Sequence, residues 1–401
     1  MSAPAAERTH LLDALHGFAL LGVAYSNFAV HAYWIFMPPE EQAALPGSFL
    51  DAPLEFIHTV FIQGKFYSIF SLLFGIGFGF FLEKGPDGIG RFYRRMLILL
   101  LIGWLHLRYL WEGDILTLYA LLGLLLPVAR RMGDRVLVVA AALLLLMPIA
   151  IDAIKVLTEG AFDPARGTRA MAMEADTALG VPQAEINHLV PDGGVMEFIR
   201  YLDGAWLWRL TDLLDSNRFF KVPAMFLIGL WVSRRKLFAD PSAHHRLLKR
   251  ICIGGLAVGL PNSFLLWWSG EHLERLPEAP GLVGTIAYAF GVAPLALGYA
   301  AGFALLWTKV TWQRTLQFFA PMGRMALTNY LMQTILAILL FAGFGLGLGT
   351  HVSSIGFEAI ALGVVILQLL WSNWWLKHFH FGPMEWLWRS LTYGKVMPMR
   401  K

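Results

Sequence analysis

The chain has 401 residues, 57% of them hydrophobic and only 15% charged, with a mean hydropathy of +0.57. That much apolar surface does not fit inside one soluble core, so the composition reads as an all-α membrane protein, a polytopic helical bundle. The net charge of +4 is scattered over short loops rather than gathered in a basic patch, which excludes nucleic acid as the natural partner and points to the lipid bilayer.

Apolar runs, each near the roughly 20 residues that cross about 30 Å of hydrocarbon, recur at 11–35, 54–82, 92–111, 114–130, 135–157, 217–234, 248–268, 281–308, 323–348 and 355–376. They predict about ten transmembrane helices. Alternating the loops gathers 22 of the 32 Lys and Arg residues on one face, and the positive-inside rule makes that face, with both termini, cytoplasmic. The opposite face is acidic, with Glu40, Glu41 and Asp51 after the first span. The whole of 1–401 reads as one transmembrane domain, with an outer, periplasmic stretch at 158–215 that packs over the helices as a lid. Val30-His31-Ala32 would serve as a signal-peptide cut, but the length of the first run and its polar groups suit an uncleaved helix better.

The first span carries polar groups at both ends, and such groups are costly in lipid and therefore candidates for function. Asp13 and His16, three apart, share a helix face. They read as a pair that receives a nucleotide or pantetheine, or as a helix-end pair that sets depth. Asn27 and His31 share a face at the outer end, where a histidine takes a proton from a hydroxyl or amine and an amide orients it. A histidine solvated at the interface is the plainer alternative.

Farther along, Lys65 interrupts an apolar run and needs an acid, an anionic ligand or a route to the surface. His106 and Asp114 flank the turn from the third span to the fourth, as an acid–histidine pair activating an acceptor or as a solvated turn. Gly75, Gly77 and Gly79, and later Gly343, Gly345, Gly347 and Gly349, fall inside apolar runs and suit close helix packing. Phe198–Leu214 mixes tryptophans with charges as an interfacial helix does.

Arg218 and Lys221 stand at the outer mouth of the sixth span, to hold an anionic acceptor or to form a membrane-border collar. Asn329 and Gln333 share a face of the ninth span and must meet other helices or a wet cavity. Arg324, at its cytoplasmic end, is suited to phosphates of coenzyme A. A C-terminal interfacial helix is expected at 381–395. The single cysteine, Cys252, excludes a disulfide within the chain, and the absence of HExxH and of GxSxG argues against a metal site and a serine-hydrolase elbow.

Five segments, LLDALHGFALLGV (11–23), KFYSIFSLLFGIG (65–77), GDILTLYALLG (113–123), GRMALTNYLMQ (323–333) and FGPMEWLWRSLTYGK (381–395), resemble the bacterial YeiB-like family, a domain of unknown function, in order along nearly the entire chain. The first-helix signature is similar to that of transmembrane acyltransferases such as heparan-α-glucosaminide N-acetyltransferase. The resemblance implies transfer of an acyl group from cytoplasmic acyl-CoA, acetyl-CoA in that enzyme, to a small-molecule, glycan or lipid acceptor on the periplasmic side of a bacterial inner membrane. It makes Asn27 the counterpart of a functional asparagine and His31 the nearest counterpart of the catalytic histidine, though closer to Asn27 than in that enzyme. His16 stands where the family usually has arginine, replacing a fixed charge by a group neutral near pH 7. A transporter or lipid-binding protein without chemistry is the rival reading, and association of further copies of the chain stays open.

Overall fold

The computed structural model describes residues 5–181 and 186–401. In chain order the helices are α1 (Ala5–His31), α2 (Pro39–Ala44), α3 (Asp51–Ile57), α4 (Lys65–Leu82), α5 (Gly85–Tyr109), α6 (Leu116–Leu125), α7 (Asp134–Leu157), α8 (Arg166–Leu179) and α9 (Ile186–Leu189). They continue with α10 (Val195–Asp215), α11 (Arg218–Arg234), α12 (His245–His272), α13 (Gly281–Trp307), α14 (Val310–Leu316), α15 (Ala320–Arg324), α16 (Ala326–Phe341), α17 (Ser354–His378) and α18 (Pro383–Tyr393). Among the described residues there is no β-strand, only an isolated bridge between Phe379 and Arg400.

Among the described residues five helices are long and apolar enough to cross a membrane: the Ser48–Leu82 unit that contains α3 and α4, then α7, α12, α13 and α17. A sixth span forms if Val310–Arg324 and α16, bent by 75° at their junction, are taken as one. Leu143 on α7, Ile253 on α12, Leu367 and Leu370 on α17 and Leu97 on α5 are all exposed. A belt of exposed aliphatic side chains is a liability in water and the natural outer surface of a multi-pass membrane protein.

The other four expected spans are helical but do not meet the same standard. At about 1.5 Å per residue, α6 with its ten residues spans only ~15 Å before Pro127 tightens the chain. The α11 helix has 17 residues, and α5 carries Arg91, Arg94 and Arg95. The α1 helix is diluted by its own polar groups. It packs against α4, α13, α15, α16 and α17, and Leu15, Leu20, Ala24 and Phe28 are fully buried. Ringed by protein, it can carry side chains that a lipid-facing helix could not.

Glycine allows several of these helices to touch. A Cβ on Gly75 would come within 2.1 Å of the Phe226 carbonyl oxygen of α11, and one on Gly323 within 1.8 Å of the Asp13 carbonyl oxygen of α1. Gly77, by contrast, faces open space. The later glycines lie outside any helix: α16 ends at Phe341, and 342–350 form a turn in which Gly343 N–H bonds the Val190 carbonyl and Gly347 has a φ of 61°.

The 158–215 stretch is largely helical. Its α10 packs on α8, and Trp208 donates to Asp176 at 2.7 Å, so the expected interfacial segment buries Phe198, Tyr201 and Leu202 against protein. The terminal α18 docks on α5 and α16, with the Arg95 guanidinium 3.5 Å from the centre of the Trp388 ring.

Candidate functional site

A cavity of about 930 Å³ follows α1 from His16 to the Trp34–Phe36 turn. From His16 to the end of α1 at His31 the helix rises about 22 Å, somewhat less than the roughly 30 Å of a bilayer's hydrocarbon. His16 and Trp388 mark one end. Phe66, Phe70, Phe74 and Leu99 line an apolar middle, and Asp51, Glu55, His58, Ser354 and Glu358 line the other end.

The chain is shaped locally to present His58. Between α3 and α4 the backbone widens into a π turn, His58–Ile62, in which Gln63 N–H reaches the His58 carbonyl at 2.7 Å. Such turns interrupt a helix without ending it and recur at functional sites. Gly64, with φ of 80°, closes the turn where a Cβ would meet the Tyr288 hydroxyl at 2.6 Å. Lys65, fully buried, donates to the Thr59 carbonyl at 2.7 Å.

His58 Nε2 lies 3.3 Å from Ser26 Oγ, and its ring stacks on Tyr25 with centroids 6.3 Å apart. The Tyr25 hydroxyl donates to the Glu358 carboxylate of α17. Asn27 completes a Tyr-Ser-Asn triplet on the cavity wall. A carboxylate this deep, 7% exposed, is kept by such a partner.

A second polar group lines the side of the cavity. Arg209 is held on two sides: Nε and Nη2 reach the Asp114 carbonyl at 2.9 and 2.6 Å, and Nη1 reaches Asp212 at 2.6 Å. Arg218 has a looser partner, Asp212 at 3.7 Å, and lies over the Tyr67 ring. Tyr67 and Tyr288 share a hydrogen bond of 2.9 Å. In the turn after α5, burial pushes the Glu112 carboxyl above its usual range, although the Tyr201 hydroxyl donates to it at 2.6 Å. Among the described residues, Trp34 Nε1, Trp111 Nε1 and Ser216 Oγ have no hydrogen-bond partner, and all three atoms are buried within the cavity wall.

Of the residues singled out in the sequence, His16, Asn27 and Arg218 line this cavity and the others do not. His31 is buried behind Trp111, its ring 4.2 Å from one ring of that residue, so the indole stands between it and the space. His106 is saturated, with Nδ1 3.0 Å from Asp114 Oδ1 and Nε2 3.0 Å from Thr334 Oγ1. Asp114 Oδ2 accepts from Thr117 N–H, so the pair caps α6 and ties α5 to α16 instead of facing an acceptor. Asp13 and His16 form no ion pair among the described residues; His16 Nδ1 is 3.0 Å from the Leu12 carbonyl.

Lys221 lies over the Tyr288 ring at 3.6 Å, outside the cavity. Asn329 donates to Ser372 and Met322, and Gln333 donates to Gln368 at 2.9 Å, bonds that join α16 to α17. Arg324 faces a separate, smaller pocket.

Tyr25, Ser26, His58, Arg209, Asp212 and Glu358, none of them a candidate by sequence, also line the cavity. Glu358 had a signal: it is a lone acid in an otherwise apolar run, the same oddity that drew attention to Lys65.

The family model described as "Protein of unknown function (DUF418)" matches residues 232–395, which contain Tyr288, Tyr330, Glu358 and Trp388 of the cavity wall. YxaH of Bacillus subtilis (strain 168), an uncharacterized protein, is 32% identical over 98% of this chain and 96% of its own. The chain belongs to this family. YeiB of Escherichia coli (strain K12), also uncharacterized, is 28% identical over 98% of both chains, and an uncharacterized 39.9 kDa protein of Bacillus acidopullulyticus is 27% identical over 98% of this one. These alignments reach α1, so the likeness covers both halves of the cavity. No solved structure matches.

Proposed function

We propose that this protein is a multi-pass acyltransferase of the bacterial inner membrane, with an acyl-CoA such as acetyl-CoA entering from the cytoplasm and an envelope acceptor reached from the periplasm. The observation that carries the reading is the cavity's course and polarity: it follows α1 for about 22 Å, with apolar walls at Phe66, Phe70 and Phe74 and with a histidine, a hydroxyl, an amide and a carboxylate gathered about 15 Å along α1 from His16. A pantetheine arm needs such a passage, and a base along it gives it a use. The first-helix signature's likeness to transmembrane acyltransferases supports the same reading. So does the charge bias of the loops, which favours ten spans with both termini cytoplasmic.

In this account His58 replaces His31 and His106 as the general base. Its Nε2, 3.3 Å from Ser26, takes the proton of the acceptor hydroxyl or amine as the new bond to the acyl carbon forms. The carbon–sulfur bond breaks, and the imidazolium returns the proton to the departing thiolate. Asn27 supplies an amide N–H to the acyl oxygen, and the Tyr25–Glu358 bond fixes the ring that stacks on His58. Arg218, loosely paired, meets an anionic acceptor.

One observation favours carriage without chemistry: the two histidines expected from sequence are off the cavity wall, while Arg218 is on it. Purified protein given radiolabelled acetyl-CoA separates the two. Acyl transfer or acyl-CoA hydrolysis above the no-protein rate is expected; no turnover and no thermal shift with any acyl-CoA would leave carriage as the function.

A further inference from the structure

A second cavity, of about 340 Å³, opens on the other side of the contact between α1 and α15 and shares no lining residue with the first. Close contacts of Gly17 with Phe319, and of Gly323 with Asp13, hold α1 against the Val310–Arg324 segment whose residues line the second cavity. His10, Arg314, Gln317, Arg324 and Asn373 supply its polar lining. Among the described residues neither arginine has a carboxylate within 4.0 Å; Asp13, the acid whose field Arg324 feels, stands farther away. Arg324 uses one N–H on the His380 carbonyl at 3.3 Å, which leaves most of its five donors free. Two guanidinium groups without acids, in a pocket of this size, are suited to a phosphate.

The surroundings decide which phosphate. Val310 and Trp312 of α14 and Phe318 of the turn after it are 64%, 48% and 45% exposed. A soluble anion has no use for them, whereas the acyl chains of a lipid do. We propose that this pocket seats the phosphate of an anionic phospholipid, with α14 lying along the bilayer surface and its apolar side chains among the chains. Basic pockets at helix ends hold such headgroups electrostatically. The inference rests on the protein being in a membrane, not on acyl transfer.

Native mass spectrometry of the full chain in detergent, with added phosphatidylglycerol or phosphatidylcholine, tests it. Preferential retention of phosphatidylglycerol is expected, falling roughly fivefold for each arginine removed in R314Q and in R314Q/R324Q. Among the described residues Arg314 makes no hydrogen bond that holds the fold, so R314Q alone is decisive if the double variant does not fold. K395Q, in a charge outside the pocket, should retain the lipid as the wild type does. Undiminished retention in folded R314Q would overturn the proposal. So would displacement of the lipid by millimolar inorganic phosphate or ADP, which would make the ligand a soluble phosphate.

Discussion

Glu385 of α18 accepts the Thr328 hydroxyl at 2.6 Å, at the first turn of α16. Its other oxygen takes the Leu327 and Thr328 N–H groups at 2.7 and 3.0 Å, so a side chain from the end of the chain caps a helix that no residue of its own caps. The same helix carries Trp388, which lines the end of the cavity and donates to the Arg95 carbonyl at 2.9 Å. The cap therefore also positions Trp388 on the cavity wall. Glu385→Ala should cost about 2 kcal/mol and expose Trp388 to aqueous quenchers, measured by fluorescence. Unchanged quenching would mean that α18 is held by its apolar face alone.

The His106–Asp114 pair is 1% and 0% exposed and has no access to the cavity. His106→Ala strands a buried carboxylate, so thermal stability should fall by roughly 3 kcal/mol while binding of acyl-CoA by the remaining folded protein is kept. Loss of binding without loss of stability would return these residues to the site.

These two cases show how far the sequence could be read. The apolar runs marked the long helices, because a length near 20 is a property of a short window, but among the described residues only five of them, or six with the bent pair, are long and apolar enough to cross a membrane. Which side of a helix meets a cavity is not such a property. His31 and His58 are both histidines at the edge of an apolar run, and only the π turn at His58–Ile62 and the Trp111 indole over His31 tell them apart. Both features depend on neighbours distant in the chain. Asn27 was legible because it shares a helix face with His31 in an apolar span, where an unpaired amide is costly, and it does line the cavity.

Beyond the long apolar helices, His188 Nδ1 is 2.9 Å from Asp192 and Nε2 is 3.3 Å from Glu41, which ties the 158–215 stretch to the segment after α1. The hydrogen bond to Asp192 raises the histidine's pKa above its ordinary 6.5. A raised value means that the clasp is complete below about pH 6.5 and is lost as pH rises through the folded-state value. Hydrogen exchange at 39–44 and 186–192 should therefore quicken from pH 6 to pH 8, and His188→Gln should remove that dependence. The same pH profile in the variant would assign it elsewhere.

Gly323→Ala would drive a methyl group into the Asp13 carbonyl, a backbone atom that cannot move aside. The contact between α1 and α15 should open at a cost of about 3 kcal/mol, read as a lower unfolding temperature. Gly77→Ala, which meets nothing within 4 Å, should leave it unchanged. Equal effects would show that helix propensity, not packing, governs these glycines.

The role of His58 is tested most directly by single-turnover transfer from labelled acetyl-CoA in wild type, His58→Ala and His31→Ala. The account predicts a rate at least about 100-fold lower in His58→Ala with acyl-CoA binding intact, and transfer retained in folded His31→Ala. A wild-type rate in His58→Ala, or transfer lost only in His31→Ala, would contradict it.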